Sequence, residues 1–256
     1  MGRLIKFELI KMFKQISFYI CGGCILLFSV LSVCIGIFTK NVFGDLVSLL
    51  GEMPSGYKYT VSAINSCNYT VILAIVICIG ICVDYSRKTF KNIWARGFTR
   101  TQVFIAKEVS AVVAALIYGI SSMLVSFALS SIVFGVGNNW DGITFVALLM
   151  QLVICVAFAS VFVSIAFFVK NLAAALVISI LGVSLVSLGA TIIELIGSFY
   201  EVDVQVKQFL LTENLTRLSS YYTITVDNIC MSFLCSVGFI ATFMVCAWLK
   251  LRKDEL

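Results

Sequence analysis

Histidine is absent from this chain of 256 residues, and proline occurs once, as Pro54. Without imidazole there is no His-based general base, no His-paired nucleophile and no ordinary zinc site. Charge is scarce as well: 12% of residues are charged and 61% are hydrophobic, more apolar surface than one water-soluble core can hide. The bilayer is the solvent that this composition requires. A G-x-x-x-x-G-K-[ST] phosphate loop is missing too, so the chain does not bind ATP through that motif. Paired carboxylates in a shared cavity and a Ser-Lys or Cys-based site in a cleft are also lacking, which leaves an intramembrane enzyme little to work with. A channel needs a carbonyl loop or charged ring, and a ring made from several copies of Glu194 is the one such design the sequence leaves open.

What is present is a set of six apolar runs of spanning length, roughly 20 residues or more: 17–38, 61–83, 103–134, 143–169, 172–196 and 229–249. The expected fold is an all-α polytopic membrane protein, a single transmembrane domain over residues 1–256. An even number of spans puts both termini on one side. Of the 18 Lys and Arg, all but Lys40, Lys58, Lys207 and Arg217 fall in segments that would share that side. The positive-inside rule therefore makes both termini cytoplasmic. The net charge of +5 follows from this bias, together with the anionic inner leaflet, and calls for no nucleic-acid partner. The first run lacks a small-residue cleavage site and is expected to remain as a helix. Residues 253–256 spell an address read in the endoplasmic reticulum lumen, but on this topology they face the cytoplasm, where that receptor does not read them. The ten cysteines lie mostly in spans, among them Cys21, Cys24, Cys34, Cys78, Cys82, Cys155, Cys235 and Cys246, and are expected to pack as small hydrophobes.

Before the first run, residues 2–16 have a helical period. Ile5, Leu9, Met12, Phe13 and Ile16 gather on one side and Arg3, Lys6, Lys11, Lys14 and Gln15 spread over the other. That is the pattern of an elbow helix lying in the headgroup layer. The third run carries a stripe of small residues, Ala111, Ala115, Gly119, Ser122, Ser126 and Ser130, expected to form a helix–helix seam or to face the path of a transported molecule. The fifth holds Glu194, read as the one acidic group deep in apolar sequence, on a face with Ser184, Ser187, Thr191 and Ser198. It either lines a path with Ser187 and Thr191 or snorkels into the loop that follows. That exterior loop, residues 197–228, is expected to form short amphipathic helices resting on the outer leaflet, with Phe199, Val202, Val206, Phe209, Leu210 and Leu218 apolar and Tyr200, Tyr221 and Tyr222 as interface anchors.

The densest charge lies between the second and third runs, where Arg87, Lys88, Lys91, Arg96, Arg100 and Lys107 interleave with Thr89, Ile93, Trp94 and Phe98. This spacing predicts a short amphipathic helix at the membrane surface, a docking element. The run Asp84-Tyr85-Ser86-Arg87-Lys88-Thr89, continuing through Lys91, Ile93, Trp94, Gly97, Thr99 and Arg100 to Lys107, resembles the first intracellular loop of ABC-2 type transporter permeases. The likeness is residue by residue at Asp84, Thr89, Ile93, Arg100 and Lys107. It departs at Lys88, where the family favours Gly, and at Gly97-Phe98, where a Pro is common. The elbow helix, the six spans and the long segment between spans five and six also resemble that family.

The resemblance implies a membrane subunit that pairs with a second copy or a paralogue and binds two separate ABC ATPase subunits, which carry the ATP and Mg; no cofactor is expected in this chain. Residues 84–102 would be the cytoplasmic coupling loop, with a coupling helix from Thr89 to Arg100, Phe90, Ile93 and Trp94 as its apolar anchors and Arg96 and Arg100 meeting acidic ATPase residues. The small size and cysteine-rich, proline-poor style look similar to permeases of the bacterial cell membrane that export amphipathic antimicrobial or cytolytic peptides. Drugs, lipids or sodium are the alternative cargoes. An ATP-independent secondary transporter or a membrane sensor are the other classes the residues allow.

Overall fold

The computed structural model describes residues 1–49, 55–66, 68–137, 141–199, 205–220 and 224–253. Expectations for Tyr200, Val202, Tyr221, Tyr222, residues 254–256 and the side chains of Lys91 and Lys253 fall outside what is described. Among the described residues the chain is helical throughout: α1 (Gly2–Lys14), α2 (Ile16–Leu49), α3 (Gly56–Ser66), α4 (Tyr69–Ser86), α5 (Thr89–Ala95), α6 (Arg100–Phe134), α7 (Gly142–Val169), α8 (Leu172–Phe199), a 3₁₀ turn at Val206–Phe209, α9 (Leu211–Ser219) and α10 (Val226–Lys253). Six of these, α2, α4, α6, α7, α8 and α10, are long and apolar enough to cross a bilayer, which makes this a multi-pass membrane protein.

α7 is the hub. It packs against α4, α6, α8, α9 and α10, and its buried face runs from Ala147 through Ile154, Phe158 and Phe162 to Phe167. The small-residue stripe of α6 is buried over its whole length, against α3 and α7, and works as a seam. At Gly119 a Cβ would come within 2.8 Å of the Leu152 side chain on α7, so the glycine is what lets the two helices approach. Glu194 is only partly buried, whereas Glu108 in α6 is buried and accepts a hydrogen bond from the Ser160 hydroxyl on α7. By contrast α8 buries little beyond Ala175, Ser179, Ala190 and Gly197 and leaves Leu181, Leu185, Leu188, Ile192 and Leu195 at the surface.

The second apolar run is not one helix. It breaks between Ser66 and Tyr69, with Asn68 in the left-handed region at φ 48°, so a short α3 precedes the span α4. Asn tolerates that conformation better than most residues. The first amides of α3 donate across to the loop after α6, Gly56 N–H to the Gly135 carbonyl at 2.8 Å and Tyr57 N–H to Val136 at 3.2 Å. A Cβ at Gly56 would sit 2.7 Å from the Ser131 hydroxyl, so the close approach needs glycine. On α7 the buried amide of Gln151 then donates at 2.9 Å to both the Val61 carbonyl of α3 and the Leu218 carbonyl of α9. Leu218 lies in the last turn of α9, whose end supplies an unpaired carbonyl that must be satisfied in an apolar interior, whereas Val61 lies in the middle of α3.

α9 overturns a second expectation. Its apolar side, Leu211, Leu215 and Leu218, is buried against α3, α7 and α10 rather than resting on a leaflet. Asn214 at its centre donates to the Gln208 and Leu210 carbonyls and accepts from Ser232 on α10, so this buried amide is fully tied. Of the elbow helix, the side that enters the protein is Leu4, Glu8 and Met12, one turn apart, while Phe7, Ile10, Phe13 and Ile16 stay exposed. The reason is Glu8: its partner lies inside the bundle, and that contact sets the rotation of α1.

Candidate functional site

One end of the bundle collects α1, the close of α4, α5, the starts of α6 and α8 and the close of α10. The α4 helix runs on through Asp84 to Ser86 before the chain turns, so the loop proper is residues 87–99. Lys88 at the start of the turn has φ 54°, and Gly97 at its end has φ 85°. Left-handed backbone is favourable for glycine and strained for lysine, and α5 is held between those two reversals. α6 then begins with a capping box: Gln102 N–H donates to Thr99 Oγ1 at 3.3 Å and Thr99 N–H donates to Gln102 Oε1 at 3.1 Å.

Beneath the loop lies a buried ion cluster. Lys107 Nζ on α6 bonds Glu8 Oε2 on α1 at 2.6 Å, Asp84 Oδ2 on α4, and the Gly80 carbonyl at 3.2 Å. Asp84 Oδ1 also receives Lys11 of α1. Lys107, Asp84 and Glu8 are 4%, 1% and 3% exposed, and Lys11 reaches solvent. Two carboxylates and two ammonium groups balance, which is the condition for holding charge at low dielectric. A cavity of about 40 Å³ lined by Glu8, Lys11, Gln15, Lys107 and Ser110 adjoins the cluster. Asp84 and Lys107 are thus brought together; Glu8 and Lys11 complete the set, Lys11 having been expected in the headgroup layer and Glu8 not singled out in the sequence.

A block of aromatic rings sits beside the ions. Phe90 of α5 meets Tyr85 at 4.5 Å, Trp94 at 5.9 Å and Phe167 of α7 at 6.2 Å, and Phe104 meets Phe167 at 5.5 Å. The ammonium groups of Lys107 and Lys170 lie over Phe90 and Tyr85, at 6.0 and 5.8 Å from their centroids. Phe90 and Ile93 are buried within this chain, so they fasten α5 down rather than offering it to a partner. Trp94 is half-buried and its indole N–H has no acceptor among the described residues. Arg100 is turned inward: its guanidinium lies 5.6 Å from the Trp94 ring and donates to the Leu251 carbonyl at 3.1 Å, on the last turn of α10. Thr89 is half-buried, and the exposed rim is Arg87, Lys88, Ala95, Arg96, Gly97 and Thr99.

The residues read as path or seam separate into two places. Ser122, Ser126 and Ser130 are buried, with Ser122 donating to Gly119 and Ser130 to Ser126, so they fill the contact of α6 with α3 and α7. Ser187 and Thr191 lie on the open side of α8. Glu194 bonds Lys207 twice, Oε2 to the ammonium group at 2.9 Å and Oε1 to the backbone N–H at 2.8 Å. It thereby ties the 3₁₀ turn to α8. The free cysteines Cys21, Cys78, Cys82, Cys155 and Cys235 are buried, Cys78 beside the Ser179 hydroxyl and Cys235 beside the Gln208 carbonyl, and no group of His, Cys, Asp and Glu suited to a metal ion occurs among the described residues.

A family model described as "ABC-2 family transporter protein" matches residues 4–186, which takes in the elbow helix, the ion cluster, α5 and the spans through the first half of α8. No curated protein matches the chain.

Proposed function

The chain belongs to the ABC-2 transporter family and is a membrane permease of an ABC transporter; from that premise we propose that it is the membrane subunit of an exporter in the bacterial cell membrane, working with two ATPase subunits and a second copy or paralogue of itself. ATP and Mg bind the ATPase partners, and this chain supplies the helices that move. The end carrying α1, α5 and the close of α10 faces the cytoplasm, since it gathers all but four of the 18 Lys and Arg. The observation that carries the reading is the seating of α5. It is a separate short helix, clamped to the bundle by Phe90 and Ile93, with a rim of Arg87, Lys88 and Arg96 and one edge of Trp94 left outward.

Such a helix suits a groove with an apolar floor and acidic walls on an ATPase subunit. Displacement of α5 then acts on α4 and α6 through the ion cluster and on α7 through Phe167, which joins the docking helix to the hub. Arg100, bound to Trp94 and to the end of α10, positions the loop. On the open side of α8, Ser184, Ser187 and Thr191 lie among Leu181, Leu185, Leu188 and Ile192, and this mixed face supports a path, shared with the second membrane subunit, for amphipathic peptides. The test is substitution of the rim and edge. Arg96→Glu and Trp94→Ala should each lower transport-stimulated ATP hydrolysis at least tenfold while the chain still inserts and assembles with its partner subunits. Hydrolysis at the unmodified level in both variants sinks the docking assignment.

A further inference from the structure

At the end of the bundle away from the termini, a cavity of about 540 Å³ lies between the far half of α2 and α3. Its lip is apolar and opens sideways. Phe28, Leu31 and Ile35 line it and are 39%, 52% and 65% exposed, on the surface that meets acyl chains. Its outermost part is polar and basic, with Thr39 and Lys40 from the far half of α2 and Lys58 and Tyr59 from the first turn of α3. From Phe28 to Lys40 the helix rises about 18 Å, comparable with half of a bilayer's hydrocarbon thickness of about 30 Å. The gradient from apolar to basic therefore matches one leaflet, from acyl chain to headgroup.

The wall is shaped for this. The Tyr59 hydroxyl lies against the bare Cα of Gly36, where any Cβ would fall 1.7 Å from it, and the ring stacks on Phe134 at 5.4 Å. Lys40 holds its ammonium group over the same Phe134, 5.5 Å from the centroid. Burial pushes the Tyr59 phenol above its ordinary range, so it keeps a proton to donate.

We propose that this cavity binds an anionic phospholipid of the surrounding leaflet, its phosphate against Lys40, Lys58 and the Tyr59 hydroxyl and one acyl chain along Phe28, Leu31 and Ile35. The volume lies within the usual span of small-molecule sites and suits a single chain and headgroup edge rather than a whole diacyl lipid. The proposal is independent of whether α5 docks an ATPase.

The experiment is native mass spectrometry of the complex purified in mild detergent and titrated with phosphatidylglycerol or with phosphatidylcholine of the same chains. The intact complex should retain phosphatidylglycerol preferentially, and Lys40→Gln with Lys58→Gln should reduce that preference on the order of tenfold or more, as two lysines acting on an anionic headgroup would. Ser32→Trp, which fills the cavity and leaves both lysines, should abolish retention without lowering the unfolding temperature. A photoactivatable phosphatidylglycerol should label residues 28–40 or 58–66. Equal retention of both lipids, or unchanged retention in the variants, overturns the proposal. So does displacement of the lipid by inorganic phosphate alone, which would make this an ion site, or crosslinking of residues 28–40 to a second copy of the chain, which would make the cavity an interface.

Discussion

Removing Lys107 tests the buried cluster most directly. Lys107→Met keeps much of the side-chain volume but leaves Glu8 with no cation, because Lys11 is committed to Asp84. Glu8 is 3% exposed and cannot turn to water. Leaving one member of a buried ion pair uncompensated costs about 3–5 kcal/mol, a large part of the stability of most folds. Asp84 retains one partner, so the loss should come mainly from Glu8, and Glu8→Gln placed on top of Lys107→Met should recover it in part. The pairwise coupling in that cycle should be about 2 kcal/mol, within the range for groups in direct contact. The assay is denaturant unfolding in detergent of the single and double variants, with ATP hydrolysis by the assembled transporter read in parallel. Equal stability of Lys107→Met and the unmodified chain would refute the reasoning. Additive effects of the two substitutions would refute it as well, since they would show that Glu8 and Lys107 do not depend on each other.

Two further outcomes follow from the backbone. Lys88→Gly should raise stability by about 1 kcal/mol, because φ 54° is strained for lysine and open to glycine; a fall in the unfolding temperature would show that the lysine side chain matters more than the turn. Gln151→Leu removes the donor to the Val61 and Leu218 carbonyls and should cost about 2 kcal/mol. Hydrogen exchange should then quicken in residues 211–219, and unchanged exchange there would show that α9 is held by its leucines alone.

The six spans were legible because a bilayer imposes length and hydropathy directly on sequence, and the stripe from Ala111 to Ser130 was legible because close helix approach demands small side chains. The basic loop could also be placed by spacing, and Thr99 with Gln102 carried a readable capping signature. What escaped were contacts between distant segments. Hydropathy averages residues 61–83 into one run, and only the polar Asn65 and Asn68 hint at the break that makes α3 a separate piece. Glu8 was readable in principle, one turn from both Leu4 and Met12, but its partner lies a hundred residues on and a helical wheel does not show it. The length of the third run allowed it either to tilt or to project its Lys107-Glu108 end into the cytoplasm, whereas both residues are buried. The inward turn of Phe90, Ile93 and Arg100 depends on Phe167 and Leu251, which the loop's own pattern does not announce.

The seat of α3 has a consequence for biosynthesis. Its first amides close onto the carbonyls of Gly135 and Val136, and its body is held by Gln151. All three acceptors and donors leave the ribosome after α3 does. Residues 56–66 therefore enter the membrane before the groove that receives them exists, and they must wait at the surface or in the insertion machinery until α6 and α7 have been made. Maturation of this permease includes a step in which an early segment is drawn into place by later ones.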